Sequence, residues 1–353
     1  MCDRKFCLWE LGGFIVIDKI KIKNLTVFED LEIDTSAPIN VFIGENGTGK
    51  TQILKLIHSS IPFFYKGSHN EYREKAQSYG LLIDTIRDRN LDSSIHVILE
   101  NGTEFPYTLT RHENKVNELR SFLSIENLAI ATELREKLVF IPAKDMLTHS
   151  KGLSAMKEKY GPNMPFDQHY YIDIISKAFR WKIAETPTIA KNIIPLLEDI
   201  MDGVVEIHDE VFFIKKRDGK TVSFDYEAEG IKKIGLLWQL LMNESITEGT
   251  ILLWDEPESN LNPKLSSIIA DMLLELSRNG VKIFLTTHNY FLAKYFDLLE
   301  KDKKEVIFHS LYRADNNLDN PVLCETSDTF SMLNRNNIID EIVELFETEM
   351  EWE

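Results

Sequence analysis

Ile39-Asn40-Val41-Phe42-Ile43-Gly44-Glu45-Asn46-Gly47-Thr48-Gly49-Lys50-Thr51-Gln52-Ile53-Leu54 decides how this chain is read. The first five residues are a short apolar run of the buried-strand type. Gly44 to Thr51 fits the pattern G-x-x-x-x-G-K-[ST], and from Gln52 onward apolar residues return at helical spacing. Strand, glycine-rich turn and helix is the context in which that pattern cradles phosphate. Glycines let successive backbone N–H groups turn inward. The helix beyond adds its positive end. Lys50 is placed to reach the outer phosphates of a nucleotide, and the Thr51 hydroxyl to ligate Mg2+. The sequence therefore predicts a nucleotide site lined by Gly44, Glu45, Asn46, Gly47, Thr48, Gly49, Lys50, Thr51 and Gln52.

The totals fit a globular protein. The 353 residues can bury a large core, and the chain is 43% hydrophobic and 27% charged. A net charge of −17 repels nucleic acid and anionic membranes on average, so any nucleic-acid contact needs a local basic patch. Cys2, Cys7 and Cys324 are too few for a disulfide framework and point to a reducing cytoplasm. No apolar run approaches the length of a membrane span. Charges at Asp3, Arg4, Lys5 and Glu10 leave no apolar core of the signal-peptide kind.

Read in order, residues 1–14 form a patternless N-terminal extension, and 15–353 read as a single domain. Ile15 to Lys23 alternates like a strand with one wet face, and Leu31-Glu32-Ile33 is a second strand. Lys19, Lys21 and Lys23 share a face, either a nucleic-acid stripe or, more simply, a solvated surface. Residues 62–93 look helical and irregular. Asn101-Gly102 joins two strands as a hairpin. Charged helical sequence is expected from Arg111 to Glu136, then a buried strand at Leu138 to Pro142. Residues of about 146–202 read as a helical insertion, in which Phe179-Arg180-Trp181-Lys182 is either an amphipathic helix face or an aromatic and basic nucleic-acid contact. Short strands follow from Gly203 to Asp225, then a helix from about Gly230 to Met242. An acidic helix is predicted at about 337–349.

The second half of the nucleotide site lies far along the chain. Ile251-Leu252-Leu253-Trp254-Asp255-Glu256 is an apolar strand ending in two carboxylates. Asp255 suits Mg2+, and Glu256 suits orienting or deprotonating the attacking water. His288 ends the next apolar strand, in Leu285-Thr286-Thr287-His288, where it can meet the γ-phosphate.

A phosphate loop, then strand-Asp255-Glu256-Pro257-Glu258-Ser259-Asn260-Leu261-Asn262-Pro263, then Thr286-Thr287-His288 resembles the ATP-binding-cassette type ATPase head. The likeness is greatest to the SMC, recombination-repair and OLD-like branch, often labelled AAA family ATPases in bacteria. It implies an α/β P-loop NTPase head with an antiparallel β subdomain and a helical insertion. It also implies ATP and Mg2+ held between two heads, with Lys50, Glu256 and His288 catalytic, Thr51 and Asp255 on the metal, and Gly230 contacting the nucleotide in trans. The departure is at the signature motif. Ala228 stands where the family has a serine, and of its glycines only Gly230 is kept. Lys232 or Lys233 is a candidate replacement donor, or both lie on a solvated face. Lys144 and Asp145 stand where the family's glutamine loop would be.

Several functions follow from the resemblance. The first is a cytoplasmic ATPase, a homodimer or higher oligomer, driving a separately encoded effector in phage defence or DNA metabolism. The second is a slowly hydrolysing nucleotide-gated scaffold. The third is a transporter subunit. The sequence has no sustained heptads for a long coiled coil.

Overall fold

In the computed structural model, residues 16–61, 86–88, 90–112, 115–120, 125–152, 169–301, 304–314 and 320–351 are described. The N-terminal extension and the helical reading of most of 62–93 lie outside them. In chain order the first half comprises β1 (Ile17–Leu25), β2 (Phe28–Asp34), β3 (Ile39–Gly44), α1 (Lys50–Ser60), β4 (Ser93–Leu99), β5 (Glu104–His112), β6 (Lys115–Arg120), α2 (Ile125–Lys137), β7 (Leu138–Ile141) and α3 (His169–Ala178). The second half comprises α4 (Ile193–Met201), β8 (Gly203–His208), β9 (Val211–Lys216), β10 (Thr221–Ser223), α5 (Glu229–Met242), β11 (Ile251–Asp255), α6 (Ser266–Arg278), β12 (Lys282–Thr286), α7 (Tyr290–Leu299), β13 (Val306–Arg313), β14 (Val322–Ser327) and α8 (Asn337–Glu351).

The centre is a sheet in the order β14-β13-β3-β12-β11-β7, parallel except for β14. Its strands β3, β7, β11 and β12 are buried on both faces, as a sheet covered on both sides requires. Because side chains alternate, Phe42, Leu253 and Phe284 face one layer, while Val41, Ile43, Leu252 and Trp254 face the other. The first layer holds α1 and the inner face of an antiparallel sheet ordered β2-β1-β4-β5-β6. The second holds α3 to α7 and the small sheet β10-β9-β8. This is the mixed α/β fold expected from the sequence, antiparallel β subdomain included.

Three expectations change, and one open pair of readings is decided. Arg111, His112 and Lys115–Arg120 are strand, not helix: β6 pairs with β5, His112 opposite Lys115 and Tyr107 opposite Arg120. Its charges read as an exposed helix, but an edge strand also carries charge, and β5 supplies the ladder hydrogen bonds. Helix is described over Ile125–Lys137. Phe179 to Lys182 is not a helix face, because α3 stops at Ala178. Gln239 and Asn243 on α5 donate to Ala178 O (3.0 Å) and Lys177 O (2.9 Å), taking the carbonyls that a further turn would use. Phe179 then packs on Phe212, Lys182 lies over the Trp238 ring, and Trp181 is 95% exposed. Lys19, Lys21 and Lys23 are paired across β1 and β2 with Glu32 and Asp30, at 2.9, 3.2 and 3.6 Å. They form the solvated strand face that the sequence favours over a nucleic-acid stripe, with their charge neutralised by these pairs. Lastly, Lys232 and Lys233 are buried, so they are not a solvated surface. The helix α5 that carries them is wrapped on nearly all sides, between the central sheet and the layer of α3, α4 and β8.

The acidic helix α8 spans Asn337–Glu351. Its first turn packs Ile338 and Ile339 on the core, while Val343, Phe346 and Met350 are exposed. No helix among the described residues is long and apolar enough to cross a membrane.

Candidate functional site

Three parallel strands, β3, β12 and β11, end at one edge of the central sheet, with Phe42 opposite Thr286 and Thr286 opposite Asp255. Ligands of open α/β sheets gather at such carboxyl ends. β3 delivers the phosphate loop there, and α1 starts at Lys50 directly behind it. Gly49 has φ 92°, and a Cβ on it would sit 2.6 Å from Phe28 and 2.7 Å from Val27. The turn between β1 and β2 thus lies against the loop, and only glycine fits.

Lys50 is 5% exposed and folds back over the loop, donating to Gly44 O and Glu45 O, each at 2.8 Å. Burial pulls its pKa from 10.5 down to about 8, although Glu256, Asp255 and Glu45 pull the other way. Thr48 Oγ1 ties the loop by donating to Glu45 O at 2.8 Å. Glu45, Asn46 and Gly47 are exposed, and Gln52 is half-buried in the first turn of α1.

The two halves of the site meet through side chains. Thr51 Oγ1 lies 2.9 and 3.1 Å from Asp255 Oδ1 and Oδ2, across 204 residues of sequence. A hydroxyl against a buried carboxylate is a hard-oxygen pair of the kind Mg2+ takes, with phosphate oxygens completing the shell. The donor set therefore fits the metal that the sequence implies. Thr286 Oγ1 donates to Asp255 Oδ1 at 2.6 Å and orients it.

Glu256 is held in a left-handed backbone, φ 48°, which costs a non-glycine residue about 1 kcal/mol or more. Its N–H lies 3.2 Å from Thr286 O and 3.1 Å from Thr286 Oγ1. Its carbonyl accepts from Lys233 Nζ at 3.0 Å. Glu256 Oε1 lies 3.6 Å from His288 Nε2, close but beyond a hydrogen bond. Burial and the charge of Lys50 lower the His288 pKa, so the ring is neutral at pH 7.

Behind them Glu258 accepts from Thr287 Oγ1 at 2.5 Å, while its Oε2 is buried with no partner among the described residues. Burial raises its pKa from 4.5 to about 7. Asp145 accepts from Leu147 N at 2.9 Å and from Thr148 Oγ1, so it caps its own loop. Its Oδ2 lies 3.9 Å from Lys232 Nζ, which also bonds Glu229 Oε1 at 2.9 Å. These groups line a cleft of about 520 Å3 whose far wall is Glu256, Ser259 and Asn260.

The structure brings together Lys50, Thr51, Asp255, Glu256 and His288. Gly230 stands apart, at the start of α5. A Cβ there would meet Asn260 O and Leu261 Cδ2, each at 2.5 Å, so within its own chain Gly230 is already needed for close packing. Ala228 occupies the N-cap position of α5 with no side-chain cap. Sequence reasoning missed Thr286 and Glu258, although both stand inside the motifs it quoted. It also missed Arg313, whose Nη2 lies 3.3 Å from Gly47 O, and Asn337, which donates to Glu45.

Known proteins align with this arrangement. A family model described as AAA domain, putative AbiEii toxin, Type IV TA system matches residues 104–294, and one described as AAA domain matches residues 19–158. The DNA replication and repair protein RecF of Lactococcus lactis subsp. cremoris (strain MG1363) is 43% identical over 42 residues, 12% of each chain. RecF of Clostridium tetani is 30% identical over 122 residues, 32% of this chain and 33% of that one. The chain thus spans at most about a third of the length of these curated relatives. Among solved structures, the Smc head domain of Pyrococcus furiosus, bound to the C-terminal domain of ScpA, superimposes with a TM-score of 0.52 at 11% identity. That match covers 95% of this chain and 100% of the other. A SmcHead bound to the C-winged helix domain of ScpA gives 0.53 at 13% identity, covering 89% and 98%. At such identities the likeness establishes an SMC-head P-loop fold.

Proposed function

This chain belongs to the AAA-domain family described as putative AbiEii toxin, Type IV TA system, and from that premise we propose that it binds Mg-ATP between two heads and hydrolyses it to drive a partner. The observation that carries the reading is the contact of Thr51 with Asp255, which joins the phosphate loop to the acidic strand. Lys50 leaves its two loop carbonyls to bind the outer phosphates, where its charge is no longer uncompensated. Thr51 and Asp255 hold Mg2+, which when bound neutralises developing phosphate charge. Glu256 receives a proton from the attacking water, and neutral His288 beside it donates towards the γ-phosphate.

The uncapped first turn of α5 is the surface we assign to the second head's ATP, its N–H groups replacing the absent serine hydroxyl at Ala228. The SMC heads it superimposes on are bound to ScpA domains, which supports a separately encoded partner for this head too. The RecF matches favour work connected with DNA metabolism, and the family description names a putative toxin of a Type IV TA system as the other setting, beside the defence role that the sequence resemblance implies. Any nucleic-acid contact must be local, given the net charge of −17 and the paired lysines of β1.

Ala228 also favours a second reading, a nucleotide-gated scaffold that turns over slowly. The test is Mg2+-dependent ATP turnover of the purified chain, with and without DNA, alongside its mass in light scattering. Turnover with ATP-dependent dimer mass supports the first reading. Tight ATP binding and dimerisation with almost no turnover select the scaffold, and no ATP binding overturns both.

A further inference from the structure

Lys233 is 3% exposed on a helix that buries Lys232 and Gln239 among apolar side chains, and nothing in phosphate binding explains it. Its ammonium does not point to the phosphate loop. It donates to the carbonyl of Glu256 at 3.0 Å and to Ser259 Oγ. Those are the first and fourth residues of the turn that follows β11. Around the ammonium stand Glu258, Glu256, Asp255 and Glu229, whose charges favour its protonated form against the cost of burial. One turn earlier, Gly230 presses on the same segment at Asn260 and Leu261 with no room for a Cβ. Glu256 and Asn260 both have left-handed backbones, φ 48° and 63°. The start of α5 and the turn 256–261 are therefore locked at both ends of that turn.

We propose that Lys233 is a positioning residue that makes Glu256 move with the start of α5, so that hydrolysis depends on where that helix end sits. The proposal rests on the ATPase reading above and adds a regulated element to it. If α5 meets the second head's nucleotide, as assigned above, that contact is transmitted through one buried ammonium to the peptide of the residue that handles water. A displaced α5 rotates the Glu256 peptide, and its carboxylate leaves the attacking line while the phosphate loop is untouched.

Lys233→Met keeps the chain length and removes the donor, and Lys233→Arg keeps a donor. The expected result for Lys233→Met is a kcat at least about thirtyfold lower with the Kd for ATP within about threefold of the parent, and Lys233→Arg recovers much of the rate. On a Glu256→Gln background, Lys233→Met lowers the residual rate no further, because the two act through one group. An unchanged kcat, a matching loss of ATP affinity, or a full multiplicative loss in the double variant overturns the proposal. Hydrogen exchange supplies a readout that needs no turnover. Amides 256–261 should exchange faster in Lys233→Met while those of α6 stay unchanged. Equal exchange at 256–261 overturns the coupling. A parent chain without turnover overturns the ATPase reading, and exchange then decides the coupling alone. If Lys233→Met does not fold, Lys233→Arg with parent stability but unchanged kcat and exchange supports the donor role, and loss of rate with parent exchange overturns it.

Discussion

Replacing Lys50 by Met should leave folding nearly unchanged while damaging ATP binding. In the folded chain the ammonium is held at a pKa of about 8 against an ordinary 10.5, so carrying its charge costs about 3 kcal/mol at neutral pH. Removing it also takes the side-chain donor from the buried Gly44 O, at about 1–3 kcal/mol, while the exposed Glu45 O keeps its bond from Thr48 Oγ1. The two effects oppose one another and leave a net change of about 1–2 kcal/mol. ATP binding has no such compensation. Loss of charge-assisted bonds worth about 1.5–3 kcal/mol weakens affinity at least about tenfold. The pH dependence gives a second, independent signature. The unfolded chain keeps the proton up to about 10.5 and the folded one only to about 8, so stability attributable to Lys50 rises across that window. ATP affinity of the parent runs the other way, falling about tenfold per unit above pH 8 because the bound form needs the proton. Calorimetric titration with ATP and thermal unfolding, each at pH 7 and 9.5, should show both trends in the parent and neither in Lys50→Met. Equal ATP affinity in the two proteins, or parallel pH curves, would refute the placement of Lys50 on the phosphates.

On the proposed role of Glu256 in handling water, Glu256→Gln should retain ATP and Mg2+ binding by calorimetry while turnover drops by about 10²–10⁴. Glu258→Gln should raise the unfolding temperature increasingly from pH 5 to pH 8. The Glu258 carboxyl keeps its proton to about 7 when folded, so the stability tied to that proton is lost as pH rises through 7, and the amide escapes the loss. Gly230→Ala should destabilise the chain by about 1–3 kcal/mol in urea unfolding, because its Cβ overlaps Asn260 O and Leu261. Unchanged stability there would mean that the turn after β11 is not fixed against α5.

The legible part of the site was the part written locally. Gly49, Lys50 and Thr51 announce their chemistry through spacing, and Asp255 and Glu256 through an apolar strand that stops at two carboxylates. The illegible part depends on register and on layers. That Thr286 orients Asp255 follows from β11 and β12 pairing residue against residue, which neither strand states alone. Lys233 reads equally as a nucleotide donor or a solvated residue when α5 is taken as amphipathic, whereas α5 is covered on almost every side. Arg111 to Arg120 misled for a related reason: with few apolar residues, charge density suits an exposed helix and an edge strand equally, and only the partner strand β5 decides. The end of α3 was set by Gln239 and Asn243, sixty residues away in sequence and absent from any local signal.

The pairing of Thr51 with Asp255 also dictates when the protein can first work during its synthesis. A ribosome adding about 5–20 residues per second needs roughly 10–40 s to lay down the 204 residues between them. The neighbours of β3 in the sheet, β12 and β13, emerge later still. For that interval the nascent phosphate-loop strand has two open edges and no acidic partner, while β1, β2, β4 and β5 can already pair beside it. Nucleotide capture is thus a late event that waits on β11, β12 and β13, and the exposed apolar strand Ile39 to Ile43 is the segment a nascent-chain chaperone would hold in the meantime.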